Sequence, residues 1–292
     1  MSTTLHWKSH PRVTCFYATR AYLRQRPLGY GPLVEALAGP AVDLERTLQA
    51  DQFDVEKFLD HLVPLSYRHG NYADLAQETL YRVLHGDRAR LLAPKYRTCL
   101  EKLAQAYFGV LERLSAKHPI NQDWLPNQWT MQGNALLHAL SRWSEPEALV
   151  PQAEVLLVHP ITDGHGEAYP LHGIICQEAI AANMQGQLPA LVRLAWLVGC
   201  LGCHVPRYSD GFPHRARAMQ VGMLALLPVT LKAAEELKLV RCDAATLTQA
   251  MNQWLPPHLM RPLTQLWGWW DAYQQVRPPW REAVLALGQI VD

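Results

Sequence analysis

The chain has almost no charge of one sign to spare. Its 27 Lys and Arg face 26 Asp and Glu, for a formal charge of +1. A balance this close supplies no phosphate-tracking stripe, so nucleic acid is not an expected partner. Long apolar runs are also scarce. The longest nearly uncharged stretch, 188–205, contains Arg193 and is only about the minimum length of a membrane span, so a buried core helix is expected rather than a membrane one. The first residues, MSTTLHWKSHPRVTC, lack a basic segment followed by an apolar one. A cytosolic setting with six reduced cysteines is the expectation. Strand-like alternation is confined to Val155–Val158, and no repeat of 20–50 residues recurs. No Gly-x-Gly-x-x-Gly follows a strand, which leaves a nucleotide fold without its fingerprint.

What is present is apolar spacing at a helical period. Apolar residues make up 49% of the 292 positions, enough for a full core. Val55, Phe58, Leu59, Leu62 and Val63 form one stripe behind a capping Asp54. Tyr72, Leu75, Ala76, Thr79 and Val83 form another after Gly70-Asn71, with Asp74, Glu78 and Arg82 on a wet face. Further helices are expected over 13–26, 95–116, 131–143, 146–158, 171–184, 188–203 and 213–239, the last kinked or broken at Pro228, and 1–12 reads as a loose arm. The expected fold is all-α: one domain over 1–292, ten to twelve helices in two layers, with a sub-layer boundary near the Trp- and Pro-rich 120–130.

Three constellations could carry chemistry. The first is a polar loop with His159, Asp163, His165 and Glu167, closed by His172. Imidazoles and carboxylates together suit zinc or iron, or acid–base work, though the spacing matches no established ligand motif. The second is Cys200-Leu201-Gly202-Cys203-His204, which has the form of a covalent haem attachment or half a zinc site with His214. Its plain alternative is two small thiols in a packed helix end. The third is a set of histidines at expected helix starts, His69 and His172, with His138 in mid-helix. They either cap helices or line one cavity.

Arg68-His69-Gly70-Asn71-Tyr72 and Leu171-His172-Gly173-Ile174-Ile175, each followed by an Ala-rich segment, resemble the two histidine motifs of the questin oxidase-like family over about residues 60–200. Arg68 replaces the family's Asn, and Asn71-Tyr72 replaces Pro-Met. The resemblance implies a helical oxidoreductase, monooxygenase-like, acting on an aromatic or polycyclic small molecule with reduced nicotinamide as cofactor. His69 and His172 would then polarise or deprotonate the substrate, with His138 and His165 as second candidates. Two other readings stay open. One is a non-catalytic helical scaffold that docks a partner through Trp254, Trp267, Trp269, Trp270 and Trp280. The other is a haem or metal protein built on Cys200, Cys203 and His204.

Overall fold

The computed structural model describes residues 3–84, 86–204, 210–255 and 263–291. The chain is mostly helical, with eleven α-helices among the described residues, but it is not all-α. Four strands form one mixed sheet: β1 (Thr4–Ser9), β2 (Gln152–Val158), β3 (Gly166–Tyr169) and β4 (Ile174–Glu178). Their order is β1-β2-β4-β3; β1, β2 and β4 run parallel and β3 is antiparallel to β4.

Two expected helices are therefore strands. Residues 146–158 form a short 3-10 turn and then β2, and 171–184 become another such turn, Pro170–His172, followed by β4. The cause is burial on both faces. Leu156 and Val158 of β2, with Ile174 and Cys176 of β4, point into one apolar cluster; Val155, Leu157 and Ile175 point into the other. A strand covered on both sides reads as a continuous apolar run, which periodicity cannot tell from a buried helix. Gly173, left-handed at φ 65°, ends the turn before a helix can propagate. The arm expected at 1–12 contains β1, whose Leu5 and Trp7 pack inward.

The helices divide by cluster. α1 (Pro11–Leu23), α2 (Gly31–Ala50), α3 (Val55–Arg68), α4 (Tyr72–Val83) and α5 (Asp87–Lys117) enclose the first. α6 (Trp124–Trp143), α7 (Ala190–Gly202), α8 (Arg215–Glu236), α9 (Ala244–Trp254), α10 (Leu263–Val276) and α11 (Trp280–Ile290) build the second. α1 lies against β2, and α7 against β3 and β4. α8 runs unbroken through Pro228, where a kink or break was expected, and α2 likewise runs through Pro40. Asp54 and Asp243 cap α3 and α9, their carboxylates accepting from Lys57 N–H at 3.1 Å and Thr246 N–H at 2.7 Å. Most of the polar loop expected at 204–212, and Pro256-Pro257, fall outside the described residues.

Candidate functional site

The carboxyl ends of β2 and β4 lie side by side, since Val158 pairs with Glu178. That is the end of a parallel sheet where ligands bind in open α/β folds. The loop leaving β2 carries Thr162, Asp163, Gly164 and His165 back over it. The turn after α1 joins the same edge through a bond from Gly29 N–H to the Ile161 carbonyl, 2.7 Å.

Glu178 is fully buried there. Its Oε1 accepts from the Thr162 N–H (2.8 Å) and hydroxyl (2.6 Å), and its Oε2 from Gly164 N–H (2.7 Å). Burial pushes its pKa up to about 7, against the pull of those bonds in the other direction. Gly164 is the hinge of the arrangement. Its φ of +83° is a left-handed conformation, and a side chain there would press on Ile180. While its N–H donates to Glu178, its carbonyl accepts from Gln177 Nε2 (3.0 Å) and from Arg193 Nη1.

Arg193 is the one charge in the apolar α7, and it is 2% exposed. Burial lowers its pKa to about 10, with Tyr17 and Glu178 opposing. Tyr17 reaches the same place from α1, its phenol pushed well up by burial and then by Glu178 and Glu167. His165 is 6% exposed and held well below its ordinary pKa, first by burial and then by Arg26 and Arg193. Four buried polar atoms in this cluster make no hydrogen bond among the described residues: Tyr17 Oη, His165 Nε2, Gln177 Oε1 and Arg193 Nε. A carboxyl group that titrates near neutrality thus stands among a phenol, a guanidinium and a neutral imidazole. Such a set can remove a proton and hold the anion that forms.

Beside it, Glu167 on β3 gathers three guanidiniums: Arg24 at 2.6 Å, Arg20 at 3.4 Å and Arg26 at 4.0 Å. Burial works against its charge, but the three arginines outweigh it and keep the carboxyl well below its usual range. Glu56 and Asp60 of α3 complete the cluster through Arg20. This network ties α1 and α3 to the sheet.

The other expected site residues scatter. His172 is at the opposite, amino end of β4; its Nε2 meets His61 Nδ1 at 2.9 Å and its carbonyl accepts from Arg68. Burial lowers its pKa to about 4, followed by the charges of His61, Arg68 and Arg82. His172 opens a strand and not a helix. His69 does not open α4 either. It ends α3, its N–H bonding the Leu65 carbonyl, while Asn71 caps α4. The His69 carbonyl accepts from Arg12. His138 is exposed on α6. His159, 3% exposed, places Nε2 at 3.0 Å from Ser115 Oγ, and burial brings its pKa down to about 4. Asp163 is an exposed turn residue with φ 60°.

Cys200 and Cys203 lie inside the second cluster, their thiols pushed up by burial, Cys203 to about 12. A methyl on Gly202 would run into the Ala148 carbonyl oxygen, so α7 packs closely against the turn before β2 here. His204 Nδ1 bonds the Leu201 carbonyl at 2.7 Å, and His214 is exposed at the start of α8. Among the described residues no three His, Cys, Asp or Glu side chains gather as a metal site. No described helix is long and apolar enough to cross a membrane. Trp254, Trp269, Trp270 and Trp280 are all buried, and Trp269 stacks on Tyr273 at 5.5 Å. These four tryptophans are core, and Trp267, the fifth of the expected docking residues, is partly buried against the same cluster.

Sequence reasoning passed over Tyr17, Gln177 and Glu178. The usable signal was Arg193, a lone charge in an apolar helix that needed a buried acceptor. No family model, curated protein or solved structure matches the chain.

Proposed function

We propose that the chain is an enzyme that abstracts a proton from a small enolisable or phenolic molecule at the carboxyl edge of its sheet. Glu178 is the base. Arg193 and Tyr17 hold the resulting oxyanion, and His165, neutral at physiological pH, donates or accepts a hydrogen bond beside it. The observation that carries this reading is a buried carboxyl group with a pKa near 7, fixed by Thr162 and Gly164 beside four buried polar atoms that make no hydrogen bond among the described residues. Oxygenation of an aromatic substrate, which the resemblance implies, would begin with the same deprotonation; the step is reassigned here from His69 and His172 to Glu178.

The test is solvent exchange. The protein in D2O near neutral pH, given a panel of simple ketones, β-diketones and phenols, should speed deuterium entry at the acidic C–H position of at least one of them, read by proton NMR. Glu178→Gln should lower that rate by roughly 10²–10⁴-fold, the usual contribution of a positioned base. Equal exchange by wild type and variant would remove Glu178 from the reaction.

A further inference from the structure

A groove of about 570 Å³ opens beside this cluster. Its walls are the last turn of α1 (Tyr22, Leu23), the following turn (Gln25, Arg26, Pro27, Leu28) and the facing side of α2 (Val34, Val42, Glu45). The volume falls in the range of small-molecule sites, and the exposed wall is divided almost evenly between polar and apolar surface. It carries one cation and one anion.

The cation is poorly neutralised. Arg26 has one ionic neighbour among the described residues, Glu167 at 4.0 Å, and that carboxylate already holds Arg24 at 2.6 Å and Arg20 at 3.4 Å. Among the described residues the Arg26 side chain makes no hydrogen bond, so its planar fork of donors is available to an incoming anion. The Arg26 charge is also felt by Tyr17 and His165, and the turn that carries Arg26 is tied to the loop over Glu178 by the bond from Gly29 N–H to the Ile161 carbonyl. Glu45, in turn, makes no ion pair among the described residues and lines the same groove. Its charge would disfavour a second negative group.

We infer that this groove binds a small free monocarboxylate, its acid group on Arg26 and its apolar body against Leu23, Pro27, Leu28, Val34 and Val42. The ligand is amphipathic, and a dianion of the same length is rejected by Glu45. The inference rests on the reading of Glu178 for its link to chemistry, since the bound acid would be the anchor of that reading's substrate.

Calorimetric titration of the whole protein with hexanoate, adipate and 1-hexanol tests it. Hexanoate should bind saturably, more tightly than either of the others. Arg26→Gln should weaken hexanoate by about tenfold or more, the loss of a charge-assisted hydrogen bond. Glu45→Gln should bring adipate close to hexanoate. Circular dichroism checks that Arg26→Gln keeps its fold; if it does not, the Glu45→Gln arm decides. No saturable hexanoate binding, equal binding of hexanol, or indifference to both substitutions overturns the assignment. Glu178→Gln separates the two proposals, because it should abolish deuterium exchange and leave hexanoate affinity unchanged. Exchange without hexanoate binding sinks the groove alone, and binding without exchange sinks the base alone.

Discussion

A single carboxyl group sets most of the chemistry at the strand ends. Glu178 is not unusual as a residue; its acidity near 7 comes from being enclosed where Thr162, Gly164, Gln177 and Arg193 meet. The consequence for stability has a definite sign. Unfolded, the group titrates near 4.5, and folded near 7, so between these values the folded state holds the extra proton. Its contribution to stability is therefore whole below about pH 4.5 and is lost as pH rises through 7. The loss is about 3 kcal/mol, from 1.36 kcal/mol per unit. Glu178→Gln has no proton to lose. Relative to wild type, it should gain about that amount between pH 4.5 and pH 8, measured by urea unfolding at both pH values. His159 and His172 titrate alike in both proteins and cancel in the difference. A gap that does not change with pH would show that Glu178 ionises as an ordinary surface acid.

Among elements, β1 is the one that spacing alone would most easily dismiss. It is six residues long, at the sheet edge, and paired only to β2 from Thr4–Gln152 to Ser9–Leu157. Its inward residues are Leu5 and Trp7, and Thr3 Oγ1 adds a bond to the Val150 carbonyl at 2.7 Å. Without it, β2 would present a bare row of N–H and C=O groups, a template for pairing with another chain. Removing residues 1–9 should lower the melting temperature and produce higher oligomers on size-exclusion chromatography. A monomer with the wild-type melting temperature would mean that β1 contributes nothing to the sheet. The helices were far more legible. The stripes of α3 and α4 point to helices with the observed starts, because one buried face at period 3.6 behind a capping residue is a strong signal. β2 and β4 were not legible, because strands covered on both faces have no polar side to alternate with.

Across the whole molecule, the aromatic residues are divided in an uneven way. All ten tryptophans belong to the second cluster or pack against it, while the first is lined with tyrosines such as Tyr17, Tyr96 and Tyr107. Tryptophan fluorescence thus reports one side of the sheet only. Yet β2 and β4 lend alternate residues to both clusters, so neither cluster can lose its packing without exposing the back of the other. Urea unfolding followed by tryptophan fluorescence and by far-UV circular dichroism should give coincident transitions. A fluorescence midpoint clearly displaced from the dichroism midpoint would show the two clusters melting apart.

What the residues determined locally is the helical character: the apolar stripes of α3 and α4, the caps at Asp54 and Asp243, and the burial of α7 with a charge that had to find a partner. These depend on neighbours within a few turns, and periodicity and capping record them. The sheet and the candidate site were decided only by the tertiary fold. Tyr17, Thr162, Gly164, Glu178 and Arg193 come from a helix, a loop, a strand end and a second helix, and no spacing joins them. Glu178 owes its raised pKa to enclosure, and enclosure exists only once both groups of helices have closed on the sheet. His69 and His172 kept ordinary places, since an imidazole next to a glycine ends a helix or precedes a strand as readily as it lines a cavity.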